Sequence, residues 1–203
     1  MPNRSAITRF GLLRHAETEW NRQDRIQGHS NSPLTSEGKA SADQWGSILK
    51  TLPINRIISS DLGRVMETAL ILSRHLKLPI IEEMRLREQY WGQWEGLSIP
   101  EIENTEAFIK EKSSGWDFRP LGGESRLEVW RRSQEALIQA ADTWAGDTIL
   151  VMTHEGVIRC LVYRLCGRKL HASEPPLIKP NHLHWLACRN GQLEIEKING
   201  MRL

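Results

Sequence analysis

The sequence lacks the marks of several classes of protein. Its 203 residues include three cysteines, Cys160, Cys166 and Cys188, with no Cys-x-x-Cys pair and no zinc-type Cys/His spacing. An odd number of cysteines, two of them in apolar stretches, is typical of a reduced protein without disulfides. We therefore expect a cytoplasmic location, and the sequence indicates no metal site.

Long apolar runs and an excess of charge are missing too. No run approaches the roughly 20 apolar residues that a membrane-spanning helix needs. The amino-terminal segment, which opens with Met-Pro-Asn-Arg-Ser, lacks the apolar core of a signal peptide, so we expect a soluble protein. The 27 Lys and Arg are mixed along the chain with 25 Asp and Glu. Neither nucleic acid nor an anionic membrane is therefore an expected partner.

The length fits one well-buried domain better than two, and no internal repeat or low-complexity tract divides the chain. We predict a single domain over residues 1–203. A homodimer remains an alternative, because the sequence pattern does not distinguish an apolar face that binds a second copy from one that packs in the core.

Strand-like and helix-like patterns alternate along the chain. Short apolar runs, separated by segments with helical spacing, cover residues 7–13, 54–58, 79–82 and 148–153. Two final runs are joined through Asn190-Gly191, a strong hairpin signal. This order predicts an α/β three-layer sandwich with a mostly parallel central sheet and a hairpin at its edge. A helical excursion at about 97–121 is expected to form a partial lid over the site.

Polar side chains follow three of these strand-like runs. One run leads directly into Arg14-His15 and another into His154, and Arg64 lies in the first helical turn after the run 54–58. Parallel α/β sheets keep their chemistry at the carboxyl ends of the strands. We therefore expect these four side chains to meet at one edge of the sheet.

Such a pocket suits a phosphoryl group. Guanidinium forks bind phosphate oxygens in pairs, and the helix that begins near Glu155 adds aligned N–H donors. A histidine without metal-ligating partners indicates an imidazole nucleophile. A neutral imidazole that attacks phosphorus in line forms a phosphohistidine, while the cations neutralise charge on the oxygens.

The leaving alkoxide needs a proton, and Glu88 is the candidate acid. It precedes an aromatic loop, residues 89–94, whose surroundings suit a raised carboxyl pKa. Glu82, Glu83 and Glu95 lie nearby in the sequence and are alternatives for the same role.

Four blocks of sequence stand out in chain order. They are residues 13–21 (LRHAETEWN), 59–69 (SSDLGRVMETA), 86–96 (LREQYWGQWEG) and 153–159 (THEGVIR). Spread over most of residues 7–160, they resemble the signature of the histidine phosphatase superfamily, also called phosphoglycerate mutase-like.

The resemblance implies a phosphoglycerate mutase-like fold and a reaction without a metal or another cofactor. It implies His15 as the nucleophile that becomes phosphorylated and Glu88 as the proton donor. The remaining residues that it implies are those of the phosphate pocket, Arg14, Arg64 and His154, and those of the rim, Asn21, Gln27 and Gly28.

Two residues depart from the usual pattern of the family. Ala16 stands beside the nucleophile where the family has Gly, and Glu155 stands after His154 in place of another Gly. Glu155 brings a carboxylate to the anion site. It either points away or contacts substrate and restricts which substrates enter.

The superfamily contains phosphatases and mutases. Cofactor-dependent mutases carry a longer insertion than the stretch 97–121, and the Gly-Gln-Trp-Glu-Gly block resembles the phosphatase branch. We therefore predict a metal-independent phosphatase that acts on a small phosphorylated metabolite. The alternatives are a mutase that needs a bisphosphorylated primer, a protein phosphohistidine or phosphotyrosine phosphatase, and a catalytically silent scaffold of the same fold.

Other aromatic residues have both a functional and a structural interpretation. Trp20, Trp91 and Trp94 lie close enough to the motif blocks to form a wall for substrate, or they belong to the core. His182 and His184 alternate as a metal-binding pair would. No third ligand accompanies them, so we expect packing or exposure instead.

Overall fold

A computed structural model describes residues 6–171 and 173–203. Residues 1–5 and residue 172 lie outside the described residues. The expectation that the chain has no signal peptide depends partly on residues 1–5. No helix within those two ranges is both long and apolar enough to cross a bilayer. The cytoplasmic location, the single domain over 1–203 and the homodimer stay predictions.

Among the described residues, six strands form one sheet. They are β1 Thr8–Arg14, β2 Arg56–Ser59, β3 Ile80–Glu82, β4 Thr148–Thr153, β5 His182–Arg189 and β6 Gln192–Arg202. Their order across the sheet is β3-β2-β4-β1-β5-β6. The first four pair in parallel, whereas β5 and β6 form an antiparallel hairpin at one edge.

Helices cover both faces of this sheet. They are α1 Glu19–Arg22, α2 Ser36–Leu49, α3 Gly63–Leu76, α4 Ile99–Ile102, α5 Glu106–Glu111, α6 Arg126–Thr143 and α7 Glu155–Leu165. Residues of α2 and α3 share one apolar core with the sheet, and residues of α6 and α7 share the other. The predicted α/β three-layer sandwich with a hairpin edge is confirmed.

Strand β4 shows why the strand-like runs are continuously apolar. Successive side chains of a strand point to opposite faces. Ile149 and Val151 therefore pack in the core beneath α6 and α7, while Leu150 and Met152 pack beneath α2 and α3. Full burial of one such side chain stabilises the fold by roughly 1.5–3 kcal/mol. A strand that is buried on both faces is therefore apolar at nearly every position.

The excursion at 97–121 contains the two short helices α4 and α5 rather than one long helix. A third apolar cluster of Trp94, Ile102 and Phe118 anchors it. Within this stretch, Ile99 contributes to the wall of the cleft described below. Its action as a lid stays a prediction.

The order of the strands brings three carboxyl ends together. Strand β4 lies between β1 and β2, with Arg14 paired to Thr153 and Ser59 paired to Met152. The segments that follow these residues therefore leave the same edge of the sheet. The convergence predicted from the sequence is confirmed.

Candidate active site

His15 lies one residue beyond β1, where its backbone N–H donates to the Thr153 carbonyl over 3.0 Å. Its side chain is buried, and its ring nitrogens face two unlike partners. Nδ1 lies 2.7 Å from the Ala16 carbonyl oxygen, and Nε2 lies 3.2 Å from Nε of Arg64. Because a carbonyl only accepts and a guanidinium only donates, Nδ1 carries the proton and Nε2 presents its lone pair. We assign this tautomer from the hydrogen bonds.

The surroundings of His15 keep its imidazole uncharged. Burial lowers its pKa well below 6.5, and the charges of Arg14 and Arg64 lower it further. The hydrogen bond to the Ala16 carbonyl opposes this shift. At neutral pH the residue is therefore a neutral imidazole with an unprotonated Nε2, which is the form that a nucleophile needs.

Arg64 is 2% exposed and lies at the start of α3. Besides Nε, its guanidinium donates to the carbonyl oxygens of Gly28 and Ser30, each over 2.8 Å, and to Nδ1 of His154 over 3.1 Å. Burial lowers its pKa to about 10, an effect that the charge of Glu88 opposes. The group still carries its positive charge at neutral pH, and partners from three segments hold it in place.

His154 precedes α7 and is fully buried. Since its Nδ1 accepts from Arg64, its Nε2 carries the proton and donates to the Ser60 hydroxyl over 2.9 Å. Burial lowers its pKa well below 6.5, and Arg64 adds to the shift. The two imidazole centroids lie 5.4 Å apart. Both nitrogens of His154 have protein partners, and its contact with substrate stays a prediction.

Glu88 places its carboxylate at the amino end of α7. Its oxygens accept from the backbone N–H groups of Gln89, over 2.8 Å, and Gly156, over 3.3 Å. A Cβ atom at position 156 would overlap this carboxylate, so only glycine leaves room for the approach. The hydrogen bonds of this carboxylate are thus made with polar backbone groups, whereas the sequence led us to expect aromatic surroundings.

A cleft of about 490 Å³ is lined by His15, Arg64 and Glu88, whereas His154, which contacts Arg64, is not among its lining residues. Its lining includes six of the residues predicted for catalysis or binding, besides His15 and Glu88: Arg14, Asn21, Gln27, Gly28, Arg64 and Glu155. We call the group His15, Arg64, His154 and Glu88 the histidine end of the cleft. We call a second group of lining residues the outer wall: Trp91, Ile99, Arg126, Arg159 and Leu170.

The two interpretations of the three tryptophans, substrate wall or core, hold for different members of the set. Trp91 does line the cleft, but Trp20 and Trp94 do not. Trp94 is buried in the third apolar cluster, where its ring packs against Phe108 and Phe118 at centroid distances of 5.6 and 6.2 Å.

A family model of the histidine phosphatase superfamily, branch 1, matches residues 10–200. The chain belongs to this superfamily. The resemblance seen in the four sequence blocks is thereby confirmed, and the converging strand ends hold the residues of those blocks.

Individual relatives of this chain carry two kinds of name. A probable phosphoglycerate mutase of Salmonella paratyphi A is 39% identical over 158 residues, which cover 77% of this chain and 74% of that protein. The solved structure of YhfR from Bacillus stearothermophilus is 30% identical, with a TM-score of 0.86 and coverage of 96% and 98%. A mycobacterial glucosyl-3-phosphoglycerate phosphatase is 26% identical, with a TM-score of 0.78 and coverage of 96% and 100%.

The two departures from the family pattern have different structural outcomes. Ala16 has a negative φ and is buried, and its N–H donates to the Thr68 hydroxyl over 3.1 Å, so the position needs no glycine. Glu155 does not point away. Its carboxylate accepts from Nη1 of Arg14 over 2.6 Å at the cleft. A substrate phosphate that binds Arg14 therefore competes with Glu155.

The alternative carboxylates near Glu88 have other partners. Glu83 pairs with Arg85, whereas Glu95 accepts from the His29 N–H over 2.6 Å and from the Ser30 hydroxyl over 2.7 Å. Among the described residues neither lines the cleft, and neither does Glu82. Glu88 is therefore the best placed of the four for contact with a leaving group.

Glu95 has a structural role that the sequence analysis missed. The loop it fixes, residues 28–30, supplies both carbonyl oxygens that hold Arg64. Gly28 has a φ of +51°, and a Cβ there would collide with the Glu95 carboxylate. The position of Glu95 inside the Gly-Gln-Trp-Glu-Gly block was the available signal.

No group of three His, Cys, Asp or Glu side chains within the described ranges is arranged to hold a metal ion. His184, one half of the apparent metal pair in the sequence, is buried and accepts from the Asn199 N–H over 3.1 Å. The packing interpretation of this residue is confirmed.

Proposed function

We propose that this protein is a phosphomonoesterase that works without a metal through a phosphohistidine on His15. One observation carries the proposal. The unprotonated Nε2 of a neutral, buried imidazole lies 3.2 Å from a guanidinium nitrogen in a cleft that also contains Arg14 and Glu88. This combines a nucleophile, cations for a phosphoryl group and an acid in one place.

The first half of the reaction transfers the phosphoryl group to the enzyme. Arg14 and Arg64 bind the non-bridging oxygens, and Nε2 of His15 attacks phosphorus in line with the ester oxygen. The P–O ester bond breaks as the P–N bond forms. Glu88, in its acid form, gives its proton to the leaving oxygen, and the alcohol departs.

The second half returns the enzyme to its starting state. Glu88, now a carboxylate, accepts a proton from a water molecule that attacks the phosphohistidine. The P–N bond breaks, inorganic phosphate forms, and His15 recovers its lone pair. His154 supports both halves by accepting from Arg64, which keeps the guanidinium oriented.

The substrate in this proposal is a small phosphorylated metabolite. A cleft of about 490 Å³ leaves room for an organic group beyond the phosphate. The phosphatase names among structural neighbours support hydrolysis, and so does the short stretch 97–121. The mutase names among relatives at 37–39% identity favour the second candidate, transfer from a bisphosphorylated primer.

The deciding experiment follows the phosphoryl group. The protein is mixed with a ³²P-labelled phosphomonoester in EDTA, quenched in alkali and examined for acid-labile label and free phosphate. We expect label on His15 and multiple turnovers. His15→Ala should lose both, whereas His182→Ala, a histidine outside the cleft, should retain both. Transfer that depends on added bisphosphate would favour the mutase, and neither label nor release would favour the scaffold.

The role of Glu88 has its own test. Glu88→Gln should slow the transfer of the phosphoryl group to His15, measured in a single turnover, by about 10²-fold for alkyl phosphates, which leave poorly. The loss should be much smaller for 4-nitrophenyl phosphate, whose leaving group needs no proton. An equal loss for both substrates in this transfer step would contradict the assignment of Glu88 as the acid.

A further inference from the structure

The outer wall of the cleft contains two guanidinium groups without a carboxylate partner. Arg126 and Arg159 both line the cleft, yet neither has an acidic oxygen within 4.0 Å among the residues that the structure describes. Arg14, by contrast, is paired with Glu155 in the same cleft. Positive charge is therefore left over on the outer wall.

Arg126 is held rigidly although nothing neutralises it. Its Nη1 donates to the carbonyl oxygens of Gly115 and Leu170, both over 3.1 Å, and its guanidinium lies 4.1 Å from the centre of the Phe118 ring. Its Nε and Nη2 groups donate to no described protein atom. Neither is among the buried atoms that lack a partner, so both are accessible to solvent. They are left free to bind something in the cleft.

Arg159 places a second charge beside the first. It follows Glu155 by four residues on α7, so the two side chains lie on one helix face about 6 Å apart along the axis. Arg159 is exposed, and its charge is close enough to help lower the pKa of Arg126, which burial brings to about 10. Both groups are charged at neutral pH.

Helix α7 locates Arg159 relative to the acid. The Gly156 N–H donates to a Glu88 oxygen over 3.3 Å, and Arg159 follows Gly156 by three residues, about 4.5 Å along the helix axis. Arg126 lines the same cleft as both. Since Glu88 protonates the leaving oxygen in the proposed reaction, the arginines lie on the side of the leaving group.

A buried acceptor in the same cleft adds an independent observation. Gln27 is 7% exposed, and its Oε1 has no hydrogen-bond partner among the residues that the structure describes. Buried polar atoms are rarely left without partners. A ligand with a hydroxyl group would supply the missing donor.

We propose that Arg126 and Arg159 form a second anion subsite, which selects phosphomonoesters whose leaving alcohol carries a further carboxylate or phosphate. This rests on the proposed function for the direction of the leaving group. Charge-assisted, forked hydrogen bonds from guanidinium groups are the physical basis of the preference.

The test uses three matched three-carbon esters that differ at the far end. Propane-1,3-diol phosphate ends in a hydroxyl, 3-phosphooxypropanoate in a carboxylate, and propane-1,3-diol bisphosphate in a second phosphate. We expect kcat/KM to be about tenfold or more higher for at least one of the anionic esters than for the hydroxyl ester. The better of the two identifies the anion.

The variant Arg159→Gln should lower that preference by about tenfold. Its matched control is Arg164→Gln on the same helix, because Arg164 stacks on Trp116 and Trp130 and does not line the cleft. The control should keep the preference of the natural protein. A ratio near one in the natural protein, or an equal ratio in Arg159→Gln, would overturn the proposal.

Binding separates this proposal from the phosphatase itself. Calorimetry on His15→Ala measures the affinity for the same three esters without any reaction. Tighter binding of an anionic ester, lost in His15→Ala/Arg159→Gln, supports the subsite even if the natural protein releases no phosphate. Equal affinities for all three esters overturn the subsite while leaving hydrolysis intact.

Discussion

At the histidine end of the cleft each polar group is held by partners from other segments, whereas the outer wall leaves its charges unpaired. Arg64 alone contacts His15, Gly28, Ser30 and His154. Arg159 of the outer wall is exposed and has no ion pair among the described residues. The histidine end is thus held throughout, whereas in the outer wall Arg126 is held by carbonyl oxygens and an aromatic ring and Arg159 is exposed.

This difference fits a division of roles in the proposed function, with the reaction at the histidine end and the choice of substrate at the outer wall. Groups that stabilise developing charge are most effective when they need no rearrangement during the reaction. The histidine end meets that condition, because carbonyl oxygens fix Arg64 and backbone N–H groups fix Glu88. The outer wall meets the opposite need. Its unpaired arginines and its apolar side chains can bind whatever the phosphate is attached to.

The largest effect should come from Arg64→Lys, which tests how far the histidine end depends on its preorganisation. Lysine keeps the charge but cannot contact His15, His154 and both carbonyls from one planar group. We expect kcat/KM to fall by about 10²–10³-fold. The control is Arg56→Lys, which alters an arginine paired with Asp147 away from the cleft. A loss under threefold would show that charge alone is sufficient.

Gly156→Ala should have the next largest effect, because the added Cβ would displace the Glu88 carboxylate from the start of α7. We expect about a tenfold to hundredfold loss of kcat for alkyl phosphates and a smaller loss for 4-nitrophenyl phosphate. The two substrates are compared in single- and double-variant proteins. In a Glu88→Gln background the alanine should add little, and an additive loss would mean that Gly156 acts independently of Glu88.

Glu95→Gln should weaken the histidine end indirectly. The neutral amide loses the charge-assisted bonds to His29 and Ser30, so the loop that holds Arg64 becomes less rigid. We expect about a threefold to tenfold fall in kcat/KM with every phosphomonoester, whatever its leaving group. Glu101→Gln, which alters a carboxylate that caps α4, is the control. A loss confined to poor leaving groups would instead make Glu95 an acid.

The smallest change concerns the protonation of His15. Burial and the charges of Arg14 and Arg64 hold its pKa well below 6.5, so its imidazole should stay neutral as the pH falls through 6.5. Arg14→Gln removes one of these charges and should move the pKa upward, so that protonation begins at a higher pH. Nuclear magnetic resonance titration of the His15 ring in the free protein measures this. A downward shift, or protonation near 6.5 in the natural protein, would contradict the electrostatic account.

The sequence predicted the fold and most of the histidine end for one physical reason. Apolar runs buried on two faces mark parallel strands, and adjacent parallel strands end at the same edge of a sheet. Arg14, His15, Arg64 and His154 follow such strands, so their meeting depended only on the strand order. The motif blocks indicated the superfamily, and their resemblance to it also indicated Glu88 as the candidate acid.

The sequence could not reveal which individual atoms of segments far apart in the chain come into contact. Examples are the donor to Nε2 of His15, the Gly156 donor to Glu88, the action of Glu95 on residues 28–30 and the unpaired charges of Arg126 and Arg159. Such contacts leave no periodic pattern, because each depends on the course of the whole chain between the partners. The sequence by itself determined which groups gather at the edge of the sheet. The tertiary structure decided which of their atoms remain free to react or to bind.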